Sequence, residues 1–149
     1  MKLTSFSDYT LRVLMYLAVN TDRLATIQGI ATSYGISESH LTKVVHHLAK
    51  TGVVESIRGK GGGIRLALQA DQIRLGRIVR ESEGGSPIVE CFAADNQCRI
   101  SASCKLAGIL KQSFDGFFQS LDQYTLADLI ESPRAVNDLM RLVAIAPET

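Results

Sequence analysis

The residues of this chain best suited to chemistry are its three cysteines, Cys91, Cys98 and Cys104, which fall within fourteen positions. Their spacing, Cys-x6-Cys-x5-Cys, is neither the paired C-x2-C of zinc fingers nor a ferredoxin run. An odd count argues against a disulfide framework. The segment that carries them, roughly Ile88 to Ser103, is polar through Asp95, Asn96, Gln97 and Arg99, and Gly84-Gly85-Ser86-Pro87 bounds it upstream. Thiolates gathered on one loop hold soft metal centres. Cys104 falls at the head of a long amphipathic segment, where first-turn amides and the helix dipole favour a thiolate. Long, irregular intervals suit an iron–sulfur cluster better than a tetrahedral zinc, the main rival. Either centre needs a fourth ligand. No fourth cysteine exists, no histidine is near, and position 107, one turn into the helix, is Ala107. The missing ligand comes from elsewhere in the chain, from another subunit, or from outside the protein.

The 149 residues that must position this loop are enough for one domain with a sizeable core and an appendage. Ser7 is expected to cap a first helix with Leu11, Leu14, Met15, Leu17 and Ala18 inward. Thr26 caps a short second helix, and Gly35 ends it in the left-handed conformation. Ser37 caps a third, in which Leu41, Val44, Val45 and Leu48 recur at i, i+3, i+4 and i+7. Residues 53–57 and 64–68 form a hairpin around Arg58-Gly59-Lys60-Gly61-Gly62-Gly63. A fourth helix spans roughly Gln72–Ser82. Leu106, Ile109, Leu110, Phe114, Phe117, Phe118 and Leu121 make a stripe along a long helix. Thr125-Leu126-Ala127-Asp128 opens a short helix in capping-box fashion, and Ser132-Pro133 opens the last. The expected fold is mainly α with a small β-hairpin wing. It divides into a winged helix-turn-helix DNA-binding domain at 1–84, a cysteine cluster-binding loop at 85–104, and a dimerisation helix with C-terminal helices at 105–149.

Two helices joined by Gly35-Ile36-Ser37 and followed at once by a hairpin form a winged helix-turn-helix. With the aliphatic face of the third helix turned inward, Ser37, Glu38, Ser39, His40, Thr42, Lys43 and His46 are left to face bases in a major groove. The histidines, His47 included, are not spaced as metal ligands with the cysteines and are expected at the surface or facing DNA. At the wing tip, Arg58 suits a narrow minor groove and Lys60 a phosphate, with glycines letting the backbone approach. Each feature alone is common on solvated surfaces; their order favours DNA. Charge agrees: residues 1–68 hold eight Lys/Arg and four Asp/Glu, residues 69–149 eight and eleven. The glycine-rich turn lacks the Gly-Lys-Ser/Thr ending of a P-loop, and neither an acid–base pair nor a nucleophile motif is present, so an enzyme is not expected. No signal-peptide h-region or membrane-length apolar run occurs, so a cytoplasmic protein is expected.

Several motifs carry a resemblance over about the first 130 residues: Met1-x-Leu3-Thr4-Ser5 with Asp8-Tyr9; Gly35-Ile36-Ser37; Val54-x-Ser56-x-Arg58-Gly59-Lys60-Gly61-Gly62-Gly63; the three-cysteine loop; and Tyr124-Thr125-Leu126-Ala127-Asp128-Leu129. In these the chain resembles the winged-helix iron–sulfur transcriptional repressor family of NsrR and IscR. It is most similar to the nitric-oxide-sensing branch, because the cluster-biogenesis branch has a histidine where this chain has Ala107. The resemblance implies a homodimer that binds double-stranded operator DNA. It also implies a 4Fe–4S cluster held by Cys91, Cys98, Cys104 and Asp8 of the partner subunit. By itself Asp8 is simply a first-turn carboxylate favoured by the helix dipole. The implied function is repression relieved when nitric oxide nitrosylates the cluster or the cluster is lost. The rivals are a same-fold regulator sensing iron, cluster supply or redox stress, and a cluster- or zinc-binding enzyme or electron carrier.

Overall fold

Thr4, in extended backbone, opens the first helix: its hydroxyl accepts the Ser7 amide at 3.2 Å, and α1 runs Ser5–Val19. This corrects the expected Ser7 cap. Ser7 lies inside the first turn, fully buried, where its hydroxyl packs 2.8 Å from that of Ser82. The computed structural model describes residues 2–85 and 87–147; Met1 and Ser86, which belong to motifs named above, lie outside the described residues. Helix α2, Ile27–Tyr34, begins as expected on Thr26, whose hydroxyl accepts the Gly29 amide at 3.0 Å. It ends at Gly35, whose φ of 64° requires the freedom of glycine. Helix α3, Glu38–Lys50, is capped by Ser37 and buries Leu41, Val44, Val45 and Leu48. Burial of each such aliphatic side chain contributes about 1.5–3 kcal/mol, so this face fixes the rotation of α3 about its axis.

Strands β1, Val54–Ile57, and β2, Gly63–Leu66, pair antiparallel with Val54 opposite Leu66 and Ile57 opposite Gly63. The sequence did not reveal a third partner. Ala25, just before α2, bridges Ile64 through two backbone hydrogen bonds of 2.7 and 3.0 Å, tying the wing to the helix-turn-helix. Gly63 permits this approach, since a Cβ there would stand 2.5 Å from the Ala25 carbonyl oxygen.

Helix α4 covers Leu75–Ser82, shorter than the expected Gln72–Ser82. Ile73 is held extended because its carbonyl accepts the Leu126 amide at 2.9 Å and Arg74 bridges Thr125, so only a single 3-10 turn, Ala70–Gln72, precedes the helix. The Thr125–Asp128 turn closes as the capping reading implies: the Asp128 carboxylate accepts the Thr125 amide and hydroxyl. A 3-10 turn, Ala127–Ile130, follows in place of an α-helix. Helices α5, Lys105–Leu121, and α6, Pro133–Val143, complete the chain, α6 with Pro133 in its first turn. The core gathers α1, α2, α3, the wing, Ile73, Ile78, Leu126 and Val143. Helix α5 stands apart from it and buries none of its residues. Among the described residues no helix is long and apolar enough to cross a membrane.

Two polar joints hold α4. At its front, Arg80 pairs with Asp122 at 2.6 Å and lies 4.8 Å from the centre of the Phe118 ring, docking α4 on the end of α5. At its rear, Glu83 receives the Thr4 amide, the Thr4 hydroxyl and the Ser7 hydroxyl, clasping the start of α1. Burial pushes the Glu83 carboxyl up, but the hydrogen bonds from Ser7 and Thr4 outweigh it and hold the pKa below its ordinary value. A depressed carboxyl stabilises the fold fully above the unfolded glutamate pKa of about 4.3, and that contribution is lost as pH falls through the lower folded value. Melting scans of the wild type and Glu83→Gln should therefore differ most near neutral pH and converge once the pH falls below the depressed folded value. A constant difference across that range would mean the clasp does not depend on charge.

Candidate functional site

The loop between α4 and α5 is braced from within. Asn96 accepts the Cys98 amide at 2.9 Å and donates to the Ser101 hydroxyl at 2.7 Å, and that hydroxyl donates to the Cys98 carbonyl at 2.9 Å. Short 3-10 turns at Glu90–Phe92 and Ser101–Ser103 flank this brace. Asn96 and Ser101 thus satisfy backbone groups of Cys98. Cys91, Cys98 and Cys104 are free cysteines, and all three line one depression of about 250 Å³ together with Ile100, Leu106 and Leu110. Cys104 is the N-cap of α5 and makes no side-chain capping bond. Ala107 lies on the same wall and offers no ligand.

Among the described residues, no three His, Cys, Asp or Glu side chains stand close enough to hold a single metal ion. The cysteines thus share a cavity without converging on one point. Three thiols on the lining of one depression are a soft donor set of the kind that holds a zinc ion or an iron–sulfur cluster.

Asp8 sits in the first turn of α1, half exposed, and its carboxylate pairs with Arg12 at 3.0 Å. The Arg12 guanidinium lies 5.9 Å from the centre of the Tyr34 ring, and the Tyr34 hydroxyl donates to the Arg12 carbonyl at 3.0 Å. Burial pushes the Tyr34 phenol up to about 12, so it remains a neutral donor at physiological pH. This arrangement links Asp8 to α2. It does not bring Asp8 into a metal-binding group with the cysteines of its own chain.

The outer face of α3 presents Glu38, Ser39, His40, Thr42, Lys43 and His46, all exposed, with Ser37 exposed at its cap. The Thr42 hydroxyl donates to the Glu38 carbonyl one turn back at 2.8 Å. His40 sits over Tyr9 with ring centres 6.0 Å apart. His47 departs from the expected surface or DNA-facing place: it is half-buried, edge-on to Phe6 at 5.5 Å. The sequence reading missed Phe6 and Tyr9 as supports of the reading helix. Their i, i+3 spacing on α1 is the signal that places both on one face. At the wing tip Arg58 and Lys60 are exposed, and Gly59 and Gly61 adopt φ of 103° and 76°, a turn that needs glycine.

A capped helix-turn-helix, a wing bent by glycines and a free polar face on the second helix of the pair define a winged-helix DNA-binding protein. The chain belongs to the Rrf2 family, described as iron-dependent transcriptional regulators, whose profile matches residues 3–132. It is a transcriptional regulator and not an enzyme. It is 43% identical to the HTH-type transcriptional regulator NsrR of Bacillus subtilis over 144 residues, covering 95% of this chain and 99% of that protein. Over 143 residues it is 43% identical to the protein of the same name from Geobacillus kaustophilus, covering 95% and 97%. Among solved structures, T. potens IscR superposes with a TM-score of 0.71 at 25% identity, covering 88% of this chain and 87% of that one. CymR, the global cysteine regulator of B. subtilis, superposes with a TM-score of 0.66 at 29% identity, covering 87% and 95%.

Proposed function

We propose that this chain is a cytoplasmic repressor whose operator binding depends on an iron–sulfur cluster and is released by nitric oxide. The carrying observation is the set of three free cysteines around one cavity, present in a chain about 43% identical to NsrR proteins. Cys91, Cys98, Cys104 and Asp8 of the partner subunit would hold the cluster, 4Fe–4S by the resemblance, which would supply iron able to react with nitric oxide. A carboxylate is a harder ligand than a thiolate and so a weaker hold on that iron.

A second copy of the chain is supported by α5. Its apolar stripe lacks cover in the monomer, with Leu106 59% and Ile109 51% exposed, and a helix this apolar buries its face against a partner. In this scheme residues 1–84 read DNA, 85–104 hold the cluster and 105–149 join the subunits. Ser37, Glu38, Ser39, His40, Thr42, Lys43 and His46 enter the major groove, and Arg58 and Lys60 the wing contact. A two-fold dimer then selects a partly palindromic operator with half-sites about one helical turn apart.

Two substitutions test the assignments. Asp8→Ala should change the visible spectrum or weaken cluster retention in anaerobically purified protein, while the cluster-free dimer keeps its melting temperature. The lost Arg12 pair is exposed, and such pairs are worth about 0.2–1 kcal/mol. An unchanged spectrum together with unchanged nitric-oxide reactivity would remove Asp8 from the ligand set. Arg58→Ala should cost about 1–3 kcal/mol of operator binding and relax base preference under the wing. A uniform loss on all DNA would instead make it a phosphate contact.

A further inference from the structure

Glu83 closes α4 and is the last residue before Gly84-Gly85, where the chain leaves for the cysteine loop. Its Oε1 accepts three hydrogen bonds from the opening turn of α1: from the Thr4 amide at 2.9 Å, the Thr4 hydroxyl at 3.0 Å and the Ser7 hydroxyl. Thr4 is the cap of α1, so the carboxylate lies at the positive end of that helix and satisfies groups the helix itself cannot. The buried Ser7–Ser82 contact reinforces the same joint.

The turn so clasped does two things. It carries Asp8, one residue after Ser7, and it carries Phe6 and Tyr9, which rest against His47 and His40 of α3. One side chain therefore joins the start of the cysteine loop to the turn that supports the DNA-reading helix. Because all three bonds converge on a single oxygen, a small shift of residue 83 breaks them together.

We propose that Glu83 is a positioning residue that couples the state of the cysteine loop to the setting of α3, acting through Thr4 and Ser7. This rests on the cluster-switched repressor reading above and adds the route by which the loop reaches the DNA-reading helix. A loop closed around a cluster holds residue 83 against α1 and the reading helix in register. A loop opened by loss of the cluster draws residue 83 away and frees the first turn of α1.

The test uses anaerobic dimer, cluster-loaded and chelator-stripped, with operator DNA selected by the wild-type protein from random-sequence duplexes. Glu83→Ala should keep the visible spectrum of the loaded protein, while the ratio of loaded to stripped operator affinity falls by about tenfold relative to wild type. Glu83→Gln, which keeps an acceptor oxygen in place, should recover most of that ratio. Ser7→Ala, a small change at a buried site, should lower the ratio in the same direction and decides the matter if Glu83→Ala does not fold. A variant that melts earlier but keeps the wild-type ratio overturns the coupling, since a merely structural clasp weakens both states alike. Loss of the spectrum in Glu83→Ala also overturns it, because Glu83 would then act on the ligands. A wild-type ratio of one overturns the underlying reading and the coupling with it, a result that needs no variant to recognise.

Discussion

Replacing Cys104 with serine should leave the fold intact and strip the chain of iron. Cys104 is the N-cap of α5, in extended backbone with φ of −77° and ψ of 107°, and its thiol makes no capping bond. Serine is among the preferred residues at that position, worth about 0.5–2 kcal/mol over a side chain that cannot cap. Compared cluster-free, the melting temperature of the variant should match or exceed that of wild type. Its hydroxyl, which stays protonated at neutral pH, does not replace a thiolate toward iron. Metal analysis of anaerobically purified Cys104→Ser should find iron near background. Operator affinity should fall toward the non-specific level, a loss on the order of a thousandfold. Separating the two effects matters. Iron retained at the wild-type level would remove Cys104 from the ligand set, whereas lost iron with a collapsed melting temperature would mark a structural cysteine.

Gly76→Ala should destabilise the protein, against the usual sign. In an exposed helix interior this change gains about 1 kcal/mol. Here a Cβ would stand 2.1 Å from Asp122 Oδ1 and 2.8 Å from the Asp122 backbone nitrogen. Asp122 cannot simply withdraw, because it holds Arg80 at 2.6 Å and its carbonyl accepts from Arg74 at 3.4 Å. Overpacking of this kind costs about 1–3 kcal/mol. A lowered urea midpoint with an unchanged slope is the expected observation. A raised midpoint would show that the joint between α4 and α5 yields freely. The same joint fixes the reading head relative to α5, so the variant should also weaken DNA binding in the dimer.

Much of the architecture was legible because local signals and burial agree there. Thr26, Gly35 and Ser37 mark helix ends by chemistry that tertiary contacts did not override, and the inward face of α3 follows its period residue for residue. The hairpin was visible for the same reason, since glycines punctuate two alternating runs. Where the sequence misled, a distant partner decided. Ile73 is extended because Leu126 pairs with it from 53 positions away, which shortens α4. Ser7 gave up its capping role because Ser82 and Glu83 come to meet it. The strand-like pairing of Ala25 with Ile64 is likewise non-local. At the site, spacing alone named the cysteines and left the fourth ligand open. The brace of Asn96 and Ser101 around Cys98, and the clasp of Glu83 on α1, join residues of ordinary type and carried no motif to find.

The central claim is that nitric oxide releases this protein from DNA through the cysteine-bound centre. The most direct measurement is an anaerobic band-shift titration of the cluster-loaded dimer on its selected operator, before and after stoichiometric nitric oxide, with Cys104→Ser alongside. The account predicts tight binding before exposure, a fall in affinity after it, and no response from Cys104→Ser. An operator affinity that nitric oxide leaves unchanged would contradict it.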